Sequence, residues 1–224
     1  MRIHQDVNGG VLKSAREYDI AYNTAIKEGQ VVKLTEGLVV AANVNETGAI
    51  IGIAAENHSG VADALDPRAN GVKIKVYDSP ALVCKSPVPV IEASSGSATT
   101  VVTDALGAFS NDDFNGGYLK LIEKAAGSTN TDEIGTIKRI TDYSYNSTGT
   151  VSTFTVASGG AANDGDKYEL YPPVGFQKGN LDTNKLKLVL TATAALPVKV
   201  IGRSVETSEI YTMAALHELG SKKS

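Results

Sequence analysis

Residues 29–55, GQVVKLTEGLVVAANVNETGAIIGIAA, read as three short β-strands joined by turns. Val, Ile and Leu come in short runs, which is typical of strands. In the first turn, Thr35-Glu36-Gly37, the glycine can adopt the positive φ that a tight hairpin requires. The run AIIGIAA at 49–55 supplies the third strand, in which Gly52 and the alanines favour close packing. The stretch predicts an antiparallel hairpin followed by another strand.

The same pattern continues along the 224-residue chain. Short runs rich in Val, Ile, Thr and Tyr recur between Gly, Asn, Asp and Pro. At 69–85, Ile74 and Val76 share one face of a strand while Lys73, Lys75 and Tyr77 take the other. This spacing predicts an all-β protein built as a small β-barrel or sandwich, with at most one short helix at the C-terminus.

The composition changes near residue 86. Near residue 176 it returns to the amphipathic pattern of Val, Lys and Leu found at 29–85. SPVPV at 86–90 stiffens the chain, and EASSGSATT at 92–100 has the composition of an exposed connector. A second group of strands, rich in tyrosine, is predicted up to the prolines at 172 and 173. We therefore predict a discontinuous first lobe, 1–88 plus 176–224, interrupted by an inserted β lobe at 89–175.

Both termini are ambiguous. The C-terminal segment beginning at Glu206 fits a helix capped by Ser208, or a strand with alternating Ile210, Thr212, Ala214 and Leu216; the strand is slightly favoured. The first 25 residues have weak periodicity and read as an extended arm that orders against a partner. The predicted interface residues, mostly in this arm, are Ile3, Val7, Val11, Leu12, Tyr18 and Ile20.

Charge and hydropathy limit the classes of partner that we expect. The net charge of −4 includes no basic cluster with interleaved aromatics, so nucleic acid is not an expected partner. No apolar run reaches the 18 or so residues of a membrane helix, and the N-terminus lacks an export signal, so no membrane partner is expected. Cys84 is the single cysteine, which excludes an internal disulfide and predicts a buried structural thiol.

Glu56 and His58, which follow AIIGIAA, are the first candidates for acid–base chemistry. A histidine acting in catalysis needs a third group to orient it, and no such group is nearby in sequence. We therefore interpret the pair as a solvated strand end. His4, His58 and His217 are too widely separated for a zinc motif.

Two acidic segments offer oxygen ligands. They are NDDFNGG, with Asn111, Asp112, Asp113 and Asn115, and NDGDKY, with Asn163, Asp164 and Asp166. The first lacks the twelve-residue calcium loop with its closing Glu. Because Asn and Asp readily form turns, we predict turns at both. Without a nucleophile elbow or phosphate loop, the chain is predicted to be no enzyme, with no catalytic residues, no metal site and no cofactor.

The segments IKEGQVVKLTEGLVVAANVNETGAIIGIAAENHSG and GVKIKVYDSPALVCK together resemble the decoration, or cement, proteins of tailed-bacteriophage capsids. The segments DDFNGGYLKLI, RITDYSYNSTGTVSTFTV and GDKYELYPPVG look like a β module found in phage structural proteins. The resemblance rests mainly on apolar, Gly and Ala positions, and it brings no catalytic residues with it.

This resemblance implies a virion protein on the outer capsid surface that binds the major capsid protein, self-associates as a homotrimer, and stabilises contacts between capsomers. The first lobe and residues 1–25 would make the capsid and trimer contacts, and the inserted lobe would project outward. A tail, fibre or baseplate component shares the all-β, turn-rich composition and is the alternative. A glycan-binding or glycan-hydrolysing protein is a third reading, for which Glu56 and His58 would be the residues to change.

Overall fold

A computed structural model describes the backbone of residues 2–6, 15–21, 24–42, 50–60, 72–78, 82–104, 106–178, 180–182, 187–190 and 198–214. Within these ranges the chain contains β-strands and no α-helix, which confirms the all-β prediction. The sheets are antiparallel and none is closed into a barrel. Of the two predicted architectures, the fold is consistent with a sandwich.

The described residues form twenty strands. In chain order they are β1 Arg2–Asp6, β2 Arg16–Asp19, β3 Ala25–Ile26, β4 Val31–Thr35, β5 Leu38–Ala41, β6 Ile50–Ala54, β7 His58–Ser59, β8 Lys73–Tyr77, β9 Leu82–Pro87, β10 Val90–Glu92, β11 Ser95–Ser97, β12 Thr100–Thr103, β13 Tyr118–Glu123, β14 Ile137–Asn146, β15 Val151–Val156, β16 Lys167–Tyr171, β17 Asn180–Asp182, β18 Lys187–Val189, β19 Val198–Ser204 and β20 Glu209–Ala214. Two small sheets, β3–β7 and β17–β18, accompany three larger ones.

The first larger sheet has five strands in the order β2-β8-β6-β4-β5. The predicted hairpin is its β4–β5 unit, and Glu36 and Gly37 both have positive φ, 53° and 84°. Two successive residues with positive φ are characteristic of the type I′ turn that joins the strands of a two-residue hairpin. One face buries a small core made of Ile20, Ile26, Val32, Val39, Ala54, Ile74 and Val76.

The two edges of this five-stranded sheet approach each other at one point. Ile20, just after β2, forms a parallel bridge with Val39 in β5, and the Ala21 N–H donates to the Val39 carbonyl at 3.0 Å. A single bridge is not a ladder. The sheet therefore curls around its core without closing into the predicted barrel.

The second larger sheet has seven strands in the order β10-β16-β13-β14-β15-β12-β11, all between residues 90 and 171. Alternation is regular in β12 and β15; β15, for example, buries Ser152, Phe154 and Val156. The edge strands β10 and β11 are separated in sequence only by Ala93 and Ser94, whose N–H groups donate to Asp166 and Val102 carbonyls. Each edge is three residues long, and short edges limit unwanted strand pairing.

The third larger sheet joins distant parts of the chain in the order β1-β9-β20-β19. β9 pairs with β20 from Glu209 opposite Pro87 to Met213 opposite Val83. Residues before and after the seven-stranded sheet are therefore neighbours in space. The chain also enters and leaves that sheet on adjacent strands, because the Leu170 N–H donates to the Pro89 carbonyl at 2.8 Å.

One main core links the three larger sheets. It includes Val31 and Ile53 of the five-stranded sheet, Cys84 and Ile210 of the four-stranded sheet, and most inward side chains of the seven-stranded sheet. Its aromatic centre is Phe114, whose ring contacts those of Phe109, Tyr143, Phe154 and Phe176 at centroid distances of 4.8–5.5 Å, with the pair to Phe154 the longest.

Two expectations change, and the favoured C-terminal strand is confirmed for Glu209–Ala214. The predicted connector at 92–100 contains strands β11 and the end of β10, because its Ser and Thr residues occupy the exposed face of a sheet whose inner face holds Ile91 and Ala93. Residues 2–6 and 16–19 of the predicted arm pair with β9 and β8 of the same chain, so they need no partner to form strands. At the C-terminus, Glu209–Ala214 is a strand; Leu216 and His217 lie outside the described residues, as does His4's side chain. The division into two lobes stays a prediction.

Candidate functional site

Glu56, Asn57 and His58 each accept a hydrogen bond from a backbone N–H group. Glu56 Oε1 accepts from Lys75 N at 2.9 Å, Asn57 Oδ1 from Glu28 N at 2.9 Å, and His58 Nδ1 from Gly60 N at 3.1 Å. These bonds connect the residues after β6 to β8, to the turn at Glu28 and to Gly60. The pair that sequence singled out thus binds the local backbone, which fits a strand end.

The first acidic segment forms a turn. Asp113 accepts from Ser110 N at 2.8 Å and binds Lys178 Nζ through both carboxylate oxygens, at 2.7 and 2.9 Å. Asp112 has a φ of 69° and accepts from the Asn115 amide at 2.7 Å. The turn prediction is confirmed here. The carboxylates serve the turn and Lys178.

The second acidic segment contains the most deeply buried carboxylate of the described residues, Asp166, which is 0% exposed. It accepts from Ala125 N at 2.9 Å, from Asn163 N at 3.1 Å and from the Asn130 amide at 2.9 Å. The same amide donates to the Tyr168 hydroxyl at 3.1 Å. Asp166 is therefore the centre of a polar network that joins two loops.

The network sets the ionisation of Asp166. Burial by itself raises the pKa of this carboxyl, but the bonds from Asn130, Ala125 and Asn163 together outweigh burial and hold its pKa below the ordinary value. Burial next to Asp166 also raises the pKa of Tyr168 to about 12. At neutral pH the Asp166 carboxylate is therefore negatively charged, and the neighbouring Tyr168 hydroxyl is protonated.

Lys138 and Asp132 form a buried ion pair in the same region. Their side chains are 6% and 11% exposed, and Lys138 Nζ lies 2.5 Å from Asp132 Oδ2. Gly160 completes the pair, because its N–H donates to Asp132 Oδ1 at 2.8 Å and its carbonyl accepts from Lys138 at 3.0 Å. Burial raises the pKa of Asp132, but the bonds from Gly160 and Lys138 outweigh this effect and leave it lowered.

Sequence reasoning missed this network. Asn130, Asp132 and Lys138 sit in ordinary-looking polar segments, and Lys138 is buried on a strand whose alternation would normally place an apolar residue there. One sequence signal was present, the Gly159-Gly160 pair. In the structure, a side chain at Gly160 would lie 2.7 Å from Thr131 N. The Gly159-Gly160 pair thus marks a place where two loop backbones meet closely.

The predicted interface residues do not form one group in the described structure. Ile20 is 0% exposed and lies in the small core. Tyr18 is partly buried, and its hydroxyl donates to Asp78 Oδ2 at 2.5 Å. Ile3 lies in β1 opposite Cys84, while Val7, Val11 and Leu12 fall outside the described residues. An intermolecular contact of this segment stays a prediction.

Cys84 is 3% exposed in the four-stranded sheet. Burial raises its pKa to about 12, so the thiol is protonated and unreactive at neutral pH. The prediction of a buried thiol is confirmed.

Two exposed apolar side chains, Val90 and Ile137, lie in one row on the outer face of the seven-stranded sheet. Val90, Glu169, Lys120 and Ile137 are successive cross-strand partners on β10, β16, β13 and β14. Val90 is 53% exposed and Ile137 49%, whereas Glu169 and Lys120 between them are 14% and 20% exposed. We call these four residues the outer row.

Among the described residues, no three His, Cys, Asp or Glu side chains converge as metal ligands. In the same part of the chain, no helix has the length and hydropathy needed to cross a membrane. No protein-family model, curated protein sequence or solved structure matches the chain.

Proposed function

We propose that this chain is a structural protein that decorates the outer surface of a tailed-phage capsid and stabilises contacts between capsomers. One observation carries the proposal. Most strands of the segments that resemble decoration proteins, 26–60 and 71–85, lie together: β4, β5, β6 and β8 are four of the five strands of one sheet. Most strands of the resembling segments are therefore neighbours in one sheet, which supports the proposal.

The way the sheets are connected suits a protein that bears load between neighbours. The four-stranded sheet pairs β1 near the N-terminus with β9, and β9 with β20 near the C-terminal end of the described residues. A pull on either part is shared along a ladder of hydrogen bonds. If each of several copies makes a weak contact with the capsid lattice, the contacts add through multivalency.

The seven-stranded sheet, which is the predicted inserted lobe, has short edges. Its edge strands, β10 and β11, are three residues each, which disfavours uncontrolled strand addition. We infer that this sheet projects outward, while capsid and self contacts use the five- and four-stranded sheets, whose edges can extend a partner's sheet.

The test mixes the purified full chain with tailed-phage capsids that lack their decoration protein. We expect saturable co-sedimentation with the capsids and a trimer by light scattering. Isolated tails from the same phage serve as the matched control. A monomer that does not co-sediment with capsids contradicts the proposal, and binding to tails alone supports a tail, fibre or baseplate role instead.

A further inference from the structure

The turn between β19 and β20, residues 205–208, lies over the outer face of β13 and β16. It covers the middle of the outer row, Lys120 and Glu169, and leaves the ends, Val90 and Ile137, exposed. Tyr171, which shares this face with Glu169, is 0% exposed beneath it. We call this turn the strap.

The strap is held mainly by polar contacts. Lys120 Nζ donates to the Val205 carbonyl at 3.0 Å and to Ser208 Oγ at 3.3 Å, and lies 3.6 Å from Glu169 Oε2. Ser208 Oγ donates to the same Glu169 oxygen at 3.0 Å, which also accepts from the Tyr171 hydroxyl at 2.6 Å. Val205 adds one partly buried apolar side chain.

The base of the same hairpin is anchored differently. Ile210 and Val200 are 0% and 1% exposed in the main core. Arg203 stacks over the Tyr118 ring at 4.4 Å and donates to the carbonyls of Pro172 and Gly116 at 2.7 and 2.9 Å. The hairpin is therefore fixed at its base by burial and at its tip by hydrogen bonds.

The tip also carries backbone strain. Ser208 has a φ of 52°, a left-handed conformation that costs free energy for a residue other than glycine and persists only where surrounding contacts enforce it. Glu206 and Thr207 are exposed, so water is at hand to replace the lost bonds. Segments with few apolar contacts open at lower free energy than the core.

We propose that the strap opens locally, releasing Lys120 and Glu169 while the base of the hairpin and the main core stay folded. Opening joins Val90, Glu169, Lys120 and Ile137 into one continuous exposed row. This inference concerns the isolated chain and does not depend on the proposed capsid role.

Amide hydrogen exchange followed by NMR on the full chain tests the strap. Lys120→Met removes the ammonium group and keeps an unbranched stem. We expect exchange of the amides from Ser204 to Glu209 to become about tenfold faster, with the amides of Arg203, Ile210, β13 and β16 unchanged. The matched control is Lys167→Met, which removes the Lys167–Glu123 pair, 2.8 Å long, from β16 outside the strap and should leave the strap amides unchanged.

Two results would overturn the proposal. Unchanged exchange in the strap of Lys120→Met shows that these contacts do not hold it. Equal acceleration in the strap, β13 and β16 shows that it opens only with the whole molecule. If Lys120→Met does not fold, Ser208→Ala removes only the hydroxyl bonds to Lys120 and Glu169 and is held to the same two criteria, with a smaller acceleration expected.

Discussion

At the scale of single residues, the polar groups that matter most are those that bind backbone. Glu56, Asn57 and His58 each accept from a backbone N–H, and Asp166 accepts from two backbone N–H groups and one side-chain amide. A buried polar group without such partners costs free energy. The hydrogen bonds of these side chains therefore hold neighbouring backbone segments in place.

Replacing Asp166 tests this role. Asp166→Ala leaves the N–H groups of Ala125 and Asn163 and the amide of Asn130 without an acceptor, so we expect the free energy of unfolding to fall by roughly 2–4 kcal/mol. Asp164→Ala, at an exposed position in the same turn, is the control and should change it by no more than about 0.5 kcal/mol. Urea unfolding measures both. Equal effects of the two variants would show that the buried network contributes little.

At the scale of elements, alternation and turn chemistry predicted most strands. The predicted second group of strands contains β13, β14, β15 and β16, and β16 ends at Tyr171, immediately before the prolines at 172 and 173. Residues 92–100 were missed as strand because Ser and Thr resemble a connector when only composition is considered. A sheet accepts them where one face is exposed.

The prediction of close packing at Gly52 is confirmed at this scale. A Cβ there would overlap the Tyr77 carbonyl oxygen and lie 2.9 Å from Val76 Cγ1, because β6 and β8 pair at this point. We expect Gly52→Ala to destabilise the protein by about 2–3 kcal/mol in chemical unfolding. Gly149→Ala, where the nearest atom would be Val151 Cγ2 at 3.4 Å, is the control. A Gly52→Ala variant as stable as the control would mean that the two strands separate easily.

At the scale of the whole molecule, the three larger sheets share one main core across distant parts of the sequence. Phe176, which follows the seven-stranded sheet, packs on Phe114 inside that sheet at a centroid distance of 5.1 Å. Lys178 extends the connection to Asp113. These contacts join the return segment of the chain to the inserted sheet. Such long-range pairs could not be inferred from local patterns.

Acid sensitivity is a property of the whole molecule that follows from the buried carboxylates. The pKa values of Asp132 and Asp166 lie below their ordinary value of 3.8 in the folded state, so their stabilisation is present above that pH and is lost as the pH falls through the folded pKa values. We expect the free energy of unfolding to drop between about pH 5 and pH 2. Asp166→Ala should lose less over this interval than the unaltered chain. An identical pH dependence of the two proteins would contradict the assignment of the lowered pKa to Asp166.

The amino-acid sequence by itself determined the all-β class, the β4–β5 hairpin and the strands β13 to β16 of the seven-stranded sheet, because alternation, β-branched residues and turn-forming Gly, Asn and Pro act over a few residues. Only the tertiary structure decided that Ile20 belongs to a core, that Lys138 and Asp132 pair in a buried network, and that the strap covers Lys120 and Glu169. These outcomes depend on which distant segments meet, and therefore on burial and geometry that no local pattern contains.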